Sequence, residues 1–567
     1  MNDRHKNRPA LSLAQAHAQL TAPGTAFETV QVMVRGVPMH VWKHVPATAA
    51  EAFVRARLHG EREFLVYRDE RISYEGFSRA SLAVARMLLA QGIKKGDRVA
   101  LAMRNLPEWP VVFMGALLAG AIAVPLNAWW SGPELEFALR DSGARLLFAD
   151  AESLARVKRL PDGVEGVYAS RTAHPPPGVA ALEEVIGVSS QWQRLPDNPM
   201  PSVALLPEDD ATIFYTSGTT GATKGALGTH RSLTTNIFAM PFSNARNALR
   251  GGDAGLKGQR TTLLAVPLFH VIGSLSVLLP SMVAGGKLVL MRKFEAREAL
   301  DLIARERVTV TGGVPAVALS LLEAAGDQDL SSLQLVTYGG APSPSSLPQR
   351  IRARFGAMPG QGWGMTETSA TCTSHSGEDF LQRPTSCGPA LPVSRIKIMK
   401  DGIEQPPGMA GELWAFGPNV VKAYWNRPED SERVFRDGWV KTGDIAMLDG
   451  EGFCTILDRA QDMLIRGGEN IYCPEVENVL AQHPAVADAA LVGLPHPVLG
   501  EVPAALVQAR PGMALSEKTL QDFAAQRLAA FKVPVKIHVS RTALPRNDGG
   551  KLVKTGLREI FDTEILA

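Results

Sequence analysis

Short apolar runs and longer stretches of helical periodicity follow one another along this chain, and their order predicts an architecture. Residues 64–67 and 72–74 are strand-like on either side of a turn at Asp69 and Glu70. From 77 to 91 the apolar residues recur at helical spacing, closed by Gly92. Residues 99–103 and 146–149 again read as strands, and 111–124 between them is almost entirely apolar until Pro125. That run falls short of the roughly twenty residues a membrane-spanning helix needs, so a buried core helix is expected. The alternation predicts an α/β fold with parallel strands. Residues 161–207, with Pro175, Pro176, Pro177, Pro196, Pro199 and Pro201, are expected to cross the surface without a core element.

Before residue 47 the only legible element is a strand pair around residues 35–38. Toward the other end, 411–416 is a strand. Beyond it a small mixed unit is expected, with helices at 474–482 and 517–528 and strands at 487–494 and 504–508. A length of 567 residues exceeds what one core usually serves, so two or more domains are expected. Apolar content of 45%, charged content of 20% and a net charge of +2 describe a soluble globular enzyme and exclude a nucleic-acid partner. Cys372, Cys387, Cys454 and Cys473 are too few and too widely spaced for a disulfide framework or a metal knuckle, which points to a reducing cytosol. The first twenty residues form no signal-peptide core, so a cytoplasmic location is expected. No transmembrane segment is predicted; peripheral membrane contact stays open, as does the choice between monomer and homodimer.

The densest chemistry lies at Tyr215–Gly225, YTSGTTGATKG, after a strand-like 211–214. Thr216, Ser217, Thr219, Thr220 and Thr223 surround Gly218 and Gly221, and Lys224 follows. Glycines let successive backbone N–H groups face one anion, hydroxyls add neutral donors, and a lysine supplies charge for a polyphosphate oxygen. The common P-loop needs Gly before the Lys and Ser or Thr after it; Thr223 and Gly225 occupy those places, which disfavours a P-loop kinase or ATPase. A Gly/Ser/Thr surface linker is the alternative reading. Further on, a strand at 263–266 runs into Pro267-Leu268-Phe269-His270, where His270 is either packed or close to a substrate. The segments 275–280, 311–315 and 336–342 lack charged side chains, and Gly312, Gly313, Gly339 and Gly340 leave space among them, either as the wall of an apolar cavity or as strand ends in a tight core. Trp129 and Trp130 read as packing residues.

Other runs follow in a set order: Gly339-Gly340-Ala341-Pro342, then Gln361-Gly362-Trp363-Gly364-Met365-Thr366-Glu367, Lys441-Thr442-Gly443-Asp444, Asp458-Arg459, Gly467-Gly468-Glu469, and Pro545-Arg546-Asn547-Asp548-Gly549-Gly550-Lys551. Together with the loop at Tyr215, this series resembles the adenylate-forming (AMP-dependent synthetase/ligase) superfamily, most closely its fatty-acid and aryl acyl-CoA synthetases, over nearly the whole chain.

The resemblance implies an α/β fold with a large, multi-subdomain N-terminal adenylation domain, residues 1–458, and a small mobile α+β C-terminal domain, 459–567, hinged near Gln461. It implies ATP, Mg²⁺ and coenzyme A as co-substrates of a small-molecule carboxylic acid. Lys551, Lys224 and His270 are the catalytic candidates. For nucleotide and coenzyme it implies Thr216, Ser217, Gly218, Thr219, Thr220, Gly221 and Lys224; Gly340, Ala341, Gln361, Gly362, Trp363 and Thr366; and Asp444, Arg459, Gly467, Gly468, Glu469 and Lys551. Glu367 and Thr216 are the candidate Mg²⁺ ligands. Where the family usually has tyrosine, Trp363 keeps a face for stacking and lacks the phenol. The activity implied is ATP-dependent conversion of an apolar acid, medium- or long-chain fatty or aryl, to an acyl-adenylate and then to acyl-CoA. An acyl-AMP ligase serving a carrier protein and a non-catalytic acyl-binding homologue are the alternatives.

Overall fold

The computed structural model describes residues 11–561 except 173, 217–222, 252–257, 342, 461, 468, 547–551 and 555. Its strands form two eight-stranded sheets, a seven-stranded sheet, a five-stranded sheet and a two-stranded ribbon among the described residues. The first large sheet is centred on Arg98–Ala102, Ile122–Pro125 and Leu146–Asp150, which pair in parallel, and carries the hairpin Asp210–Thr216/Lys224–Thr229 toward one edge. The second has Thr261–Leu264, Val310–Gly313, Leu335–Gly339 and Met358–Trp363 side by side in parallel register. Parallel strands need crossovers, and helices supply them, as the alternating pattern predicts.

The helix Tyr74–Ala90 starts where the Ser73 hydroxyl accepts the backbone N–H of Gly76 at 3.1 Å. Tyr74 therefore opens a helix instead of ending a strand as the apolar pattern suggested; its hydroxyl is buried and donates to the carbonyls of Ser281 and Gly286, at 3.0 and 2.8 Å. The helix packs on Glu108–Leu118, every residue of which is buried. Here the apolar run 111–124 departs from expectation. It is a helix only to Leu118; the chain turns at Gly120, with φ +78°, and continues as the buried strand Ile122–Pro125. An element buried on all sides shows no periodicity, so helix and strand merge in the sequence.

The proline-rich stretch 161–207 also differs. It contains the strands Gly166–Ser170 and Ala180–Ala181, which extend the first sheet, and two short helical segments whose Trp192 is wholly buried in the main core. Trp129 and Trp130 pack edge-on against Phe269 and Tyr215, with ring centroids 5.1 and 6.1 Å apart, yet both also border the central cleft.

Beyond the seven-stranded sheet, residues 464–540 build the five-stranded sheet with its own core of Leu464, Ile471, Val476, Leu480, Leu491, Val507 and Leu520. Its helices Cys473–Ala481 and Glu517–Ala525 and strands Val486–His496 and Gly500–Ala509 match the predicted order. The four cysteines are free and buried. Among the described residues no helix is long and apolar enough to cross a membrane.

The two central helices approach so closely that a Cβ at Gly115 would lie 2.6 Å from Cγ1 of Val84. Replacing Gly115 with Val should therefore destabilise the protein by about 1–3 kcal/mol through overpacking, despite the better helix propensity of valine than of glycine. Thermal and urea denaturation check this; an unchanged or raised midpoint would overturn it.

Candidate active site

The hairpin that carries the phosphate-type loop sets Thr216 and Lys224 opposite each other as cross-strand partners at the base of the loop. Ser217, Gly218, Thr219, Thr220 and Gly221 lie outside the described residues. The Lys224 ammonium pairs with Asp430 at 3.0 Å and stands 5.3 Å from the centre of the Tyr424 ring. Tyr424 in turn donates its phenol to Oε1 of Glu367 at 2.7 Å. One tyrosine thus joins the candidate phosphate lysine to the candidate metal carboxylate. Its hydroxyl titrates far above its ordinary range, first because it is buried and then because Glu367 is beside it.

Glu367 sits in a turn that the chain adopts only under outside support. Ser369 and Ala370 have positive φ, +46° and +89°, where side-chain-bearing residues are rarely found. Two buried asparagines hold them. Asn236 accepts the Thr371 N–H at 2.9 Å and donates to the Ser369 carbonyl, while Asn419 donates to the carbonyls of Thr368 and Thr371 at 3.0 and 3.3 Å. Gly364 has to be glycine, because a Cβ there would fall 1.4 Å from the Ala370 carbonyl oxygen. A third asparagine, Asn105, clamps the turn before His270: it donates to the Val266 carbonyl at 2.9 Å and accepts the Leu268 N–H at 2.8 Å. The His270 ring packs edge-on against Phe269, 4.8 Å between centroids.

Asp444 is almost wholly buried. Its Oδ2 accepts the indole N–H of Trp363 at 2.7 Å, and its Oδ1 meets Nε of Arg459, also at 2.7 Å. Tryptophan therefore lacks the phenol but brings a donor of its own, a contact that the sequence reading had not anticipated. A carboxylate anchored in this way keeps a fixed orientation, with lone pairs to spare for the hydroxyls of a sugar.

Thr216, Lys224, His270, Thr366, Glu367, Asp444 and Arg459 all line one cleft of about 2150 Å³, as do Gly340, Ala341, Gln361, Gly362 and Trp363. Parts of the uncharged segments around Ser276, Gly312 and Gly339 border it too. The cleft is larger than the 300–1,000 Å³ usual for a single small ligand, leaving room for more than one substrate. Lys551, Gln461 and Gly468 fall outside the described residues. Residues flanking Lys551, namely Arg546, Leu552, Val553 and Lys554, line the same cleft. Gly467 and Glu469 do not; they lie at the tip of the hairpin Leu464–Arg466/Glu469–Ile471, where Gly467 donates its N–H to the Leu499 carbonyl at 2.8 Å. Tyr424, Asp430 and the three asparagines escaped the sequence reading, because each acts on a motif far away in the chain and none stands in a motif itself.

Residues 52–425 match the family described as AMP-binding enzyme, and 475–551 its C-terminal domain. The chain belongs to the AMP-binding enzyme family. It is 34% identical over 502 residues to the long-chain-fatty-acid–CoA ligase FadD13 of Mycobacterium tuberculosis, covering 88% of this chain and 94% of that one. Against the feruloyl-CoA synthase of Amycolatopsis it is 34% identical, over 89% of this chain and 97% of the relative. The structure of o-succinylbenzoate CoA synthetase from Bacillus subtilis with its acyl-adenylate intermediate superposes with a TM-score of 0.75 at 32% identity, over 89% and 97% of the two chains. This AMP-binding enzyme is accordingly an ATP-dependent, AMP-forming acid–CoA ligase, with ATP, Mg²⁺ and coenzyme A as co-substrates.

The donors in the cleft fit Mg²⁺. Glu367 and Thr216 offer the hard oxygens it prefers, and a single carboxylate suits a site completed by substrate phosphates. Among the described residues no cluster of three or more His, Cys, Asp or Glu forms a self-contained metal site.

Between the large and small sheets, Asp458 accepts the N–H of Cys473 on Oδ2 and that of Arg459 on Oδ1, both at 2.7 Å. Burial raises its pKa from 3.8 to about 6, outweighing these hydrogen bonds and nearby Lys554, which is itself paired with Glu477 at 2.8 Å. The folded protein thus holds this proton more tightly than the unfolded chain does, so the contribution to stability is full below about pH 4 and is lost as pH rises through about 6. Melting temperatures of wild type and Asp458→Asn, measured side by side, should diverge in the variant's favour across that window and run parallel above it. A constant difference from pH 4 to 7 would overturn this assignment.

Proposed function

We propose that this enzyme activates a carboxylic acid with a largely apolar body, fatty or aryl, and releases it as the coenzyme A thioester. An oxygen of the acid attacks the α-phosphorus of ATP, the bond to pyrophosphate breaks, and an acyl-adenylate forms. The thiol sulfur of coenzyme A then attacks the acyl carbon, the bond to AMP breaks, and the thiol proton passes to solvent. The observation that carries this reading is the convergence of Lys224, Glu367, Asp444, Arg459 and His270 on one cleft bordered by uncharged, glycine-rich strands.

In the first step two anions must meet, and the main task of the protein is to offset charge. Lys224 and the loop from Thr216 to Gly221 bind the phosphates. Lys551 stabilises charge at the α-phosphate. Glu367 and Thr216 would hold Mg²⁺, which would supply further neutralisation of phosphate charge. Gly340, Ala341, Gln361, Gly362 and Trp363 border the base, Thr366 supports the turn, Asp444 and Arg459 hold the ribose, and His270 lies beside the reacting carboxylate. In the second step a rotation of residues 459–567 about Gln461 exchanges the Lys551 loop for Gly467, Gly468 and Glu469. Support comes from the side of the small sheet that faces the cleft: the neighbours of Lys551 border it, and Gly467 and Glu469 stand away from it. We place the enzyme in the cytosol, as a monomer or homodimer.

Pyrophosphate release and acyl-CoA formation, measured over short, medium, long and aryl acids with and without coenzyme A, test the reading. Acyl-CoA should accumulate only with the thiol present. Pyrophosphate without acyl-CoA would replace it with an acyl-AMP ligase, and silence across all acids despite ATP binding would replace it with a binding protein. Lys551→Ala should slow pyrophosphate release by about 10²–10³-fold, the usual loss for one charge-stabilising group, while a preformed acyl-adenylate is still converted with coenzyme A. Unchanged pyrophosphate release would remove Lys551 from the mechanism.

A further inference from the structure

One cation in the wall of the cleft takes no part in the chemistry above. Arg260 stands immediately before the strand Thr261–Leu264 and borders the cleft, deep enough that burial alone lowers its pKa to about 10. The side chain as a whole is half-buried, and among the described residues its Nε is shut off from solvent without a hydrogen-bond partner. Two residues along, on the same face of the strand, Oγ1 of Thr262 is also buried and unpartnered. A buried guanidinium N–H and a buried hydroxyl left without partners are each costly, and native structures rarely keep such groups without a use.

The sheet leads from the adenylate end of the cleft to this pair. Thr262 lies level with Val310, Val310 with Leu335, and Leu335 with Met358. Above that row, on the same face of the three neighbouring strands, stand Gly312, Thr337, Gly339, Gly360 and Gly362. Of these, Gly312, Thr337, Gly339, Gly362 and Val310 border the cleft, so small residues floor a lane along it toward Thr262 and Arg260. Four residues separate Gly339 from the row of Leu335, and two more separate Thr262 from Arg260, a drop of about 20 Å at the usual rise per residue of a parallel strand.

The geometry points to an acid with a second carboxylate at the far end of its tail, received by Arg260 and Thr262. This rests on the ligase reading and refines it at the tail. A distal carboxylate would give the guanidinium a two-pronged partner and Thr262 an acceptor. A tail ending in a methyl group would leave both unpaired, the situation in which a site built for hydrogen bonding rejects an analogue most strongly.

The test uses the full-length enzyme with saturated dicarboxylic acids and monocarboxylic acids of matched carbon number, short to long, reading pyrophosphate and acyl-CoA. At some chain length the wild type should favour the diacid in kcat/KM by about 10²-fold or more. Arg260→Leu should invert that ratio, lowering the diacid mainly through KM and raising the monoacid, and Arg260→Lys should keep part of the preference. Calorimetric binding of ATP shows whether each variant is folded, and the wild-type ratio decides the matter even where a variant is not. A wild type that prefers the monoacid at every length, or a folded Arg260→Leu that slows both classes equally, would overturn the proposal while leaving the ligase reading intact. Absence of pyrophosphate release with every acid would sink that reading and the proposal with it.

Discussion

A carboxylate removed from water must have its oxygens taken up by donors, and at Asp444 that requirement joins three parts of the chain. The indole N–H comes from Trp363 at the end of a strand in the second large sheet, the acid from the strand Trp439–Leu448 of the seven-stranded sheet, and the guanidinium from Arg459 on the strand beside it. Glu367 and Asp458 obey the same rule with the Tyr424 phenol and with the backbone N–H groups of Arg459 and Cys473. Each buried acid is thereby a joint between segments, and the three together fix how the sheets meet around the cleft. Asp458 and Arg459 are adjacent, so the support of the candidate ribose acid and the start of the small unit share one short stretch.

The backbone around the cleft is held in conformations that it would not choose locally. Ser369 and Ala370 at positive φ lie in a turn kept by Asn236 and Asn419, and the turn before His270 is kept by Asn105. Local strain persists only where the surroundings over-determine it, and it clusters at functional sites. The asparagines serve because one amide both donates and accepts, so a single buried side chain can satisfy an N–H and a carbonyl of the same turn.

Charge in the cleft is distributed unevenly, and the unevenness has a function. Near the loop at Thr216, Lys224 is balanced by Asp430, and across the cleft Arg459 by Asp444. Such pairing holds the cations in place and keeps them within reach of a polyanion. Farther down the glycine-floored lane Arg260 has no such partner among the described residues. The balanced end suits a nucleotide common to the whole family, and the unbalanced end is where one member can distinguish its acid from others.

The sequence alone was enough to determine the superfamily, the α/β class and twelve of the residues that border the cleft, because those features depend on local order: hydroxyl and glycine runs suited to phosphate, periodicities that separate strand from helix, and a fixed succession of motifs. It could not separate the helix Glu108–Leu118 from the strand Ile122–Pro125, since burial on every side erases the period by which either is recognised. Nor did it reveal the elements within 161–207, whose core residue Trp192 is hidden among prolines. The roles of Tyr424, Asp430, Asn105, Asn236, Asn419 and Arg260 were decided only by tertiary structure. Each of these side chains matters through what it touches, or fails to touch, a long way off in the chain, and a hydrogen bond between distant segments leaves no periodicity, spacing or composition to read.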